Sequence, residues 1–370
     1  MQTNIPCVLM RGGTSKGPFF LAKDLPTDPD LRDRVLLALM GSPDVRQIDG
    51  LGGADPLTSK VAVVSAPSTR EDCDVDYLFL QVVPDKPVVD LTQNCGNMLA
   101  GVGPFAIEHG LIPAQDGETP VRIHMVNSGD KAVARIPTPG GEVEYGGDAR
   151  IDGVPGTAAP IFIDVEETAG SICGALLPTG NLMDVIDGIE CTLMDNGMPV
   201  VAMRAEDLGR SGYETRDELN ADEELKKRIE SIRLKAGPMM NLGDVTDKVV
   251  PKMFLLAKPK AGGAISTRSY IPKVAHASIG VLAAVTVATA AVMPGTTAYE
   301  LAVRPEGSRK VLELEHPTGF FTVEIETEGP ESSLHIKRSA LLRTARRIME
   351  GQVSIPAEVW DGKSAPAARV

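Results

Sequence analysis

The chain has 370 residues, more than one compact core usually holds, so two domains of ordinary size are expected. Its hydrophobic fraction of 43% is enough to bury a substantial interior, which excludes a chain that is disordered throughout. The formal net charge of -13 argues against nucleic acid or an anionic membrane as the main partner, because both are bound by a basic surface.

The N-terminal sequence MQTNIPCVLMRGG has a short apolar run with no charged region ahead of it, unlike a secretory signal peptide. A later stretch, ASIGVLAAVTVATAAVM, is about as long as the shortest membrane spans. It is rich in alanine, however, and it is interrupted by Ser278, Thr286 and Thr289. We therefore predict a buried helix there, and a cytoplasmic protein without a membrane partner.

Short β-like segments dominate the first half of the chain. In order they are KVAVVSA, DYLFLQVV, VRIHMVNS and KAVARIP, in which apolar β-forming residues cluster or alternate between turn residues. The sequence NSGDK between the last two segments predicts a hairpin.

Two apolar stretches predict long helices, one beginning near Asn97 and the other near Ser278, and each stops at a proline. When the two stretches are aligned on those prolines, Cys95 falls on His276, which suggests an internal duplication. A second similarity, between LTSKVAVV and VTDKVVPK, requires a different offset.

These patterns predict an α/β fold of two similar halves. Each half is expected to be a curved antiparallel or mixed sheet around one apolar helix, with the active site in a cleft between the halves. We place the first domain at residues 1–182 and the second at residues 183–345. The segment 346–370 is expected to return to the first domain, and its last residues, SAPAARV, are expected to be frayed.

Cys95 lies at the start of the first predicted helix. The positive end of the helix dipole and unpaired backbone N–H groups would stabilise a thiolate there. The adjacent Gly96 would let backbone amides approach a ligand carboxylate closely. The alternative is a small, buried and inert cysteine, which is the usual state of a free cysteine.

The chain has five cysteines at unrelated spacings, which predicts neither a disulfide framework nor a CxxC metal pair. Four of them are expected to be structural: Cys7, Cys73, Cys173 and Cys191.

Lys60 ends the loop DGLGGADPLTSK, just before the apolar segment VAVV. Burial against a strand would favour the neutral amine, the form of lysine that can act as a base. The alternative is an ordinary surface lysine at the start of a strand.

Two further segments collect cations among small residues. RGGTSKG, residues 11–17, lacks the spacing of a nucleotide P-loop and is either a carboxylate-binding loop or a plain turn. STRSYIPKVAHAS, residues 266–278, brings Arg268, Lys273, His276 and Ser278 together ahead of the second apolar helix. Arginine suits carboxylates, but a lone histidine is often only structural.

Several common catalytic signatures are missing from the sequence. It contains no HExxH or HxxxH, so we predict no protein-bound metal. It contains no GxSxG, which weakens the case for a serine hydrolase, and GNMLAGVG lacks the GxGxxG spacing of a dinucleotide site.

Taken together, a series of blocks resembles the PrpF family of the diaminopimelate epimerase-like fold. The blocks are MRGGTSKG, RQIDGLGGADPLTSKVAVV, VDYLFLQV, QNCGNMLAGVGPFAIEHGL, GALLPTGN, DNGMPVV, NLGDVTDKVVPKM and TRSYIPKVAHASIGV. They are most similar to the 4-oxalomesaconate tautomerase/isomerase branch, which serves bacterial catabolism of protocatechuate, gallate and lignin-derived aromatic compounds.

The resemblance implies two related domains and a 1,3-allylic isomerisation of a small tricarboxylate without a cofactor. The lysine of the LTSK block and the cysteine of the NCGN block are the family's acid and base candidates, and they correspond to Lys60 and Cys95. Either one could be the base. From the family alone, a homodimer is the expected assembly.

The remaining candidates are expected to bind the substrate, chiefly its carboxylates. In the first half they are Arg11, Thr14, Ser15, Lys16, Thr58, Ser59, Asn94, Gly96 and Asn97. In the second half they are Arg268, Lys273, His276 and Ser278.

One feature departs from the wider fold that the chain resembles. The epimerases of that fold that invert a stereocentre carry a pair of opposed thiols, one from each half. The second half of this chain has AHASIG and no cysteine at that place, so a two-thiol racemase is not expected. The alternatives are an isomerase of 2-methylaconitate or aconitate, a non-catalytic tricarboxylate-binding protein and a thiol-redox protein. The last is disfavoured because no resolving cysteine lies near Cys95 in sequence.

Overall fold

The computed structural model describes residues 1–92, 94–165, 168–271, 273–330 and 334–363. The helices are α1 (Pro29–Met40), α2 (Gly96–Glu108), α3 (Arg216–Ala221), α4 (Glu223–Met239) and α5 (Val281–Val292). The earlier strands are β1 (Gln2–Gly12), β2 (Ser15–Leu21), β3 (Lys60–Ser65), β4 (Val75–Val82), β5 (Val89–Asp90), β6 (Gly117–Met125), β7 (Asp130–Thr138) and β8 (Ile161–Val165). The later strands are β9 (Asp184–Ile186), β10 (Ile189–Asp195), β11 (Pro199–Arg204), β12 (Lys252–Ala257), β13 (Ile265–Tyr270), β14 (Arg309–His316), β15 (Gly319–Glu328), β16 (His335–Arg343) and β17 (Ala345–Pro356).

The chain forms two compact units. The first contains Met1–Asp164 and the chain from Leu342 onward, and the second contains Val165–Leu341. These limits differ from the division at residues 182 and 345 because Cys173, which precedes residue 182, joins a buried cluster of the second unit. Ala345 packs in the core of the first unit. The segment SAPAARV, residues 364–370, lies outside the described residues.

In the first unit the strand order across the sheet is β17, β1, β2, β3, β4, β6, β7. The β2–β3 and β4–β6 pairs are parallel and the other neighbours are antiparallel. The short β5 also pairs with β4. On one face of the sheet α2 lies in the main core cluster, and on the other face α1 packs in a separate cluster.

α2 is apolar on every side because the sheet surrounds it. Its sequence carries no charge before Glu108, and the residues from Met98 to Ala106 are buried. Glycines allow the strands to come close: a Cβ at Gly101 would lie 2.6 Å from the ring of Phe19. The helix ends ahead of Pro113 because Gly110 adopts the left-handed conformation that terminates helices.

In the second unit the strand order is β9, β10, β11, β12, β13, β14, β15, β16. The alanine-rich helix α5 lies in the core on one face of this sheet. α4 covers the other face through Leu225, Ile229 and Ile232. Among the described residues, no helix is both long and apolar enough to span a membrane.

The two units repeat one topology. The series β1, β2, β3, β4, β6, β7 and the series β10, β11, β12, β13, β14, β15 share the same sequence of antiparallel and parallel pairings. The predicted α/β class, with a mixed sheet around one apolar helix in each half, is confirmed.

The predicted alignment within this repeat is wrong in its detail. The residue preceding α2 is Cys95 and the residue preceding α5 is Gly280, so Cys95 corresponds to Gly280 and not to His276. The alignment on prolines failed because α2 ends at Glu108, ahead of its proline, whereas α5 runs almost to Pro294. Likewise, Lys60 is the first residue of β3 and Lys252 is the first residue of β12, so the two lysines occupy corresponding positions in the repeat.

Candidate active site

Lys60 and Cys95 are in direct contact in the first unit. The Lys60 Nζ donates a hydrogen bond to the Cys95 Sγ over 3.4 Å. Both residues are buried, with 9% and 8% of their surfaces exposed. β3 supplies the lysine and the N-cap of α2 supplies the cysteine. Two residues that are far apart in the sequence thus form one buried amine–thiol contact.

The N-terminus of α2 is open to a ligand. Cys95 makes no side-chain capping bond, and the first bond within the helix runs from the Leu99 N–H to the Cys95 carbonyl. The preceding amides at Gly96, Asn97 and Met98 have no acceptor among the described residues, so they remain for a ligand, and they carry the positive end of the helix dipole. A Cβ at Gly96 would meet no atom within 4 Å, so there is space in front of these amides. An anionic group fits this position.

The turn between β1 and β2 is packed tightly against the site. A Cβ at Gly12 would lie 2.5 Å from the carbonyl oxygen of Asn97, and a Cβ at Gly17 would lie 1.8 Å from the carbonyl oxygen of Lys60. The Asn97 amide donates to the Thr14 hydroxyl over 3.0 Å. Glycine at these positions allows the turn to fix both α2 and β3 in place.

Two aromatic residues of β4 complete the buried side of the pair. The Tyr77 hydroxyl donates to the Cys95 carbonyl over 3.3 Å, and burial raises the pKa of Tyr77 well above its usual value, so it is a neutral donor. The Lys60 ammonium lies 5.1 Å from the centre of the Phe79 ring, within cation–π range. The segment VDYLFLQV was identified as a strand, but its alternation alone did not indicate which residues would face Cys95.

Arg343 is a functional candidate that the sequence did not indicate. It is 8% exposed, and its guanidinium donates to the Leu342 carbonyl over 2.8 Å. Burial lowers the pKa of Arg343 to about 10, and negative charge on the Cys95 sulfur opposes that shift, so the guanidinium would attract a thiolate formed at Cys95. No local motif marks this residue because it is brought to the site by a strand at the far end of the chain.

The cations and hydroxyls of RGGTSKG differ in whether they are already bonded to the protein or remain able to bind a ligand. The Arg11 guanidinium donates to the Gly13 carbonyl and to the Thr344 hydroxyl, which ties the turn to the chain after β16. Lys16 is half-buried. Ser15 is 1% exposed and its hydroxyl has no hydrogen-bond partner among the described residues. A buried hydroxyl without a partner can bind a ligand.

Of the other candidates in the first unit, Ser59 and Thr58 form hydrogen bonds within the protein, whereas Asn94 has one polar atom without a partner among the described residues. The Ser59 hydroxyl donates to the Val82 carbonyl and accepts from Gln47, so it holds the loop before β3. The Thr58 hydroxyl donates to the Asp55 carbonyl over 3.3 Å. The Asn94 amide donates to Ser128, while its Oδ1 has no partner among the described residues.

The candidates of the second unit do not form one group. His276 accepts the Ser278 backbone N–H over 2.8 Å, and the Ser278 hydroxyl contacts the ring of His316 over 3.2 Å, just ahead of α5. Arg268 lies on the opposite face of β13 from α5, where its Nε donates to the Glu214 carbonyl. Lys273 is 63% exposed and lies 3.7 Å from Glu230 of α4.

The other four cysteines are Cys7, Cys73, Cys173 and Cys191. All four are buried. Burial raises the pKa of Cys7 and of Cys73, and it raises the pKa of Cys173 and of Cys191 to about 12. Within the described ranges, no group of three or more His, Cys, Asp or Glu residues has the geometry to hold a metal ion.

The arrangement is suited to moving a proton. An amine and a thiol in contact can exchange a proton directly, one accepting it from a ligand while the other donates to the same ligand. The open amides of α2 and the buried Arg343 can stabilise negative charge that develops between these steps.

Comparison with known proteins gives one family. The family described as PrpF protein matches residues 2–356. A (4E)-oxalomesaconate Delta-isomerase of Novosphingobium sp. (strain KA1) is 60% identical over 350 residues, with 95% of this chain and 97% of the relative covered. A 4-oxalomesaconate tautomerase of Pseudomonas putida is 58% identical over 361 residues, covering 98% and 99%. A crystal structure of a methylitaconate-delta-isomerase, 37% identical, superposes with a TM-score of 0.84 over 100% of both chains. The chain belongs to the PrpF protein family.

Proposed function

We propose that this protein is an isomerase of 4-oxalomesaconate that transfers a proton between two carbons of its substrate through Lys60 and Cys95. The observation that carries the proposal is the 3.4 Å contact between the lysine amine and the thiol at an open helix N-terminus. The two relatives at 60% and 58% identity support the choice of substrate.

The proposed reaction needs no external reagent. The Lys60 amine removes a proton from a carbon next to the carbonyl, which leaves a dienolate and an ammonium. The Cys95 thiol then protonates the substrate at its other carbon and becomes a thiolate. A proton passes from the Lys60 Nζ to the Cys95 Sγ across their contact, and both groups return to their starting states. The opposite assignment, with Cys95 as the base, balances equally well.

The surrounding groups have distinct parts in this scheme. The amides at the start of α2 bind a substrate carboxylate or the dienolate oxygen. The Ser15 hydroxyl, which has no partner in the described part of the chain, is a further donor or acceptor for the ligand. The cation of Arg343 lowers the energy of the thiolate formed during the cycle. We further propose that the reaction proceeds without a cofactor, in the cytoplasm, as a step in the breakdown of aromatic compounds.

Proton NMR of the protein with 4-oxalomesaconate in D2O tests the assignment. We expect the substrate signals to be replaced by those of an enol or a shifted alkene, with deuterium entering the carbon next to the oxalyl group. A parallel sample with 2-methylaconitate distinguishes the related isomerase. Turnover of 2-methylaconitate with none of 4-oxalomesaconate would refute the proposed substrate, and exchange with neither would refute the activity.

A further inference from the structure

The loop that leads to Lys60 is anchored by one buried contact. Residues 41–59 connect α1 to β3 without a helix or a strand, and the structure describes all of them. Within this loop only Gln47 and Ser59 are buried, with 2% and 0% of their surfaces exposed. The Gln47 Nε2 donates a hydrogen bond to the Ser59 Oγ over 2.7 Å. The anchor of the loop is therefore polar, and one of its two residues directly precedes Lys60.

Hydrogen bonds to Ser59 fix the chain immediately before Lys60. The Ser59 hydroxyl donates to the Val82 carbonyl over 2.7 Å, which leaves its lone pairs to accept from Gln47. The Ser59 carbonyl accepts from the Val82 N–H over 3.1 Å and from the Gln81 amide over 2.8 Å. Gln81 is also the residue opposite Lys60 in the β3–β4 pair. Because Ser59 and Lys60 share a peptide bond, a shift of the serine moves the lysine as well.

The backbone of the loop is strained where it places the Gln47 carboxamide. Gln47 has a φ of 45° and Ala54 has a φ of 58°, in the left-handed region that residues with a side chain rarely adopt. The Ala54 N–H donates to the Gln47 Oε1 over 3.0 Å, so these two residues are bonded to each other. Gly52 lies so close that a Cβ there would be 2.1 Å from the Gln47 Cδ. Backbone strain of this kind is concentrated where the surrounding structure holds a functional group in a fixed geometry.

We propose that Gln47 is a positioning residue for the reaction: its carboxamide fixes Ser59 and thereby holds the Lys60 amine in contact with Cys95. The hydrogen bonds of the carboxamide go to Ser42, Ala54 and Ser59, so Gln47 acts on the site through the loop. Lys60 is the first residue of β3, and the chain on its N-terminal side is held by this loop. The effect on turnover rests on the proposed function, whereas the contact between amine and thiol can be measured without a substrate.

Steady-state kinetics with 4-oxalomesaconate test the positioning role. Gln47→Met keeps the length of the side chain and removes its hydrogen bonds. We expect kcat to fall about 10- to 100-fold, the effect of misplacing a reacting group. KM should stay within about twofold, because substrate binding by the α2 amides is unchanged. Thr119→Val is the matched control and should keep the parent kcat, since the buried bond that it breaks, to Thr138, lies beyond the opposite end of β4 from Lys60.

A double-variant comparison tests whether Gln47 acts through Ser59. Ser59→Ala breaks the same contact from the other side, and it gives the same test if Gln47→Met does not fold. If the two residues act as one unit, the variant with both changes should lose no more kcat than the less active single variant. Losses of kcat that multiply would overturn the proposal, and so would a rise in KM with unchanged kcat.

Alkylation of Cys95 by iodoacetamide, quantified by mass spectrometry, measures the contact without a substrate. The thiolate is the reactive form, and the neighbouring Lys60 ammonium stabilises it. Gln47→Met should therefore slow the alkylation by about 3- to 10-fold, part of the value of a hydrogen bond to a charged group, and Lys60→Met should slow it at least as much. A rate in Gln47→Met equal to or above that of the parent would overturn the proposal. Absence of turnover by the parent would instead refute the proposed function, and slower alkylation in Gln47→Met would still support the role of Gln47 in placing Lys60.

Discussion

Gly96→Ala separates the folding role of α2 from its proposed role in binding. A Cβ at this position would meet no protein atom within 4 Å, so the substitution creates no clash. Alanine is also the better helix former, and the variant should be as stable as the parent or more stable by up to about 1 kcal/mol. The added methyl group would, however, stand in front of the amides of Gly96, Asn97 and Met98, which have no acceptor among the residues that the structure describes.

The expected loss of activity follows from the hydrogen bond between an α2 amide and the substrate carboxylate that the methyl group would block. One hydrogen bond from an amide to a carboxylate contributes about 1.5–3 kcal/mol, so losing it should lower kcat/KM for 4-oxalomesaconate by about 10- to 100-fold. Steady-state kinetics and urea unfolding of the same preparation measure both quantities. Gly17→Ala is the contrasting variant, since its Cβ would lie 1.8 Å from the Lys60 carbonyl and should destabilise the fold. Unchanged kcat/KM in a stable Gly96→Ala protein would refute the anion site at α2.

Three further predictions concern the surroundings of the pair. Tyr77→Phe removes the bond to the Cys95 carbonyl and should lower the free energy of unfolding by about 0.5–1.5 kcal/mol in urea titrations; an unchanged midpoint would contradict it. Burial works to raise the pKa of Asp76, but hydrogen bonds from Ser68 and His124 outweigh it and the pKa is lowered. The carboxylate therefore stabilises the fold above its unfolded pKa of about 4, and this contribution is lost as the pH falls through the lower folded value. Asp76→Asn should be about 1–3 kcal/mol less stable at pH 7, with a gap that narrows below pH 4; a gap independent of pH would refute this assignment. Arg343→Gln should reduce kcat about 10- to 100-fold and Arg343→Lys should reduce it less, because only the latter keeps the cation; equal losses in two folded variants would exclude a role for the charge.

Much of the local structure could be predicted because its signals are local. The segments KVAVVSA, DYLFLQVV, VRIHMVNS and KAVARIP form β3, β4, β6 and β7, and NSGDK lies at the turn of the β6–β7 hairpin. Both apolar stretches form helices that are buried on nearly all sides. These assignments depend only on residue type and period, which a single sequence contains.

Other features could not be predicted, because they depend on which face of a strand a side chain occupies and on contacts between residues that are far apart in the sequence. Arg268 and Ser269 are adjacent in sequence, yet they lie on opposite faces of β13, so the cation that seemed suited to a carboxylate is directed away from α5. Arg343 comes close to Cys95 only because the chain returns to the first unit at Leu342, in the last two residues of β16. Sequence similarity alone aligned the two halves of the repeat in the wrong register. The strand pairings were needed to show that Lys60 corresponds to Lys252.

The most direct test of the central claim is deuterium exchange into 4-oxalomesaconate in D2O, followed by proton NMR for the parent, Lys60→Met and Cys95→Ser. If Lys60 removes the proton and Cys95 returns it, Lys60→Met should lose both exchange and isomerisation. Cys95→Ser should keep measurable exchange at the carbon next to the oxalyl group while losing at least 100-fold in isomerisation. The reverse pattern would assign the base to Cys95. Isomerisation at close to the parent rate in both variants would contradict proton transfer by this pair.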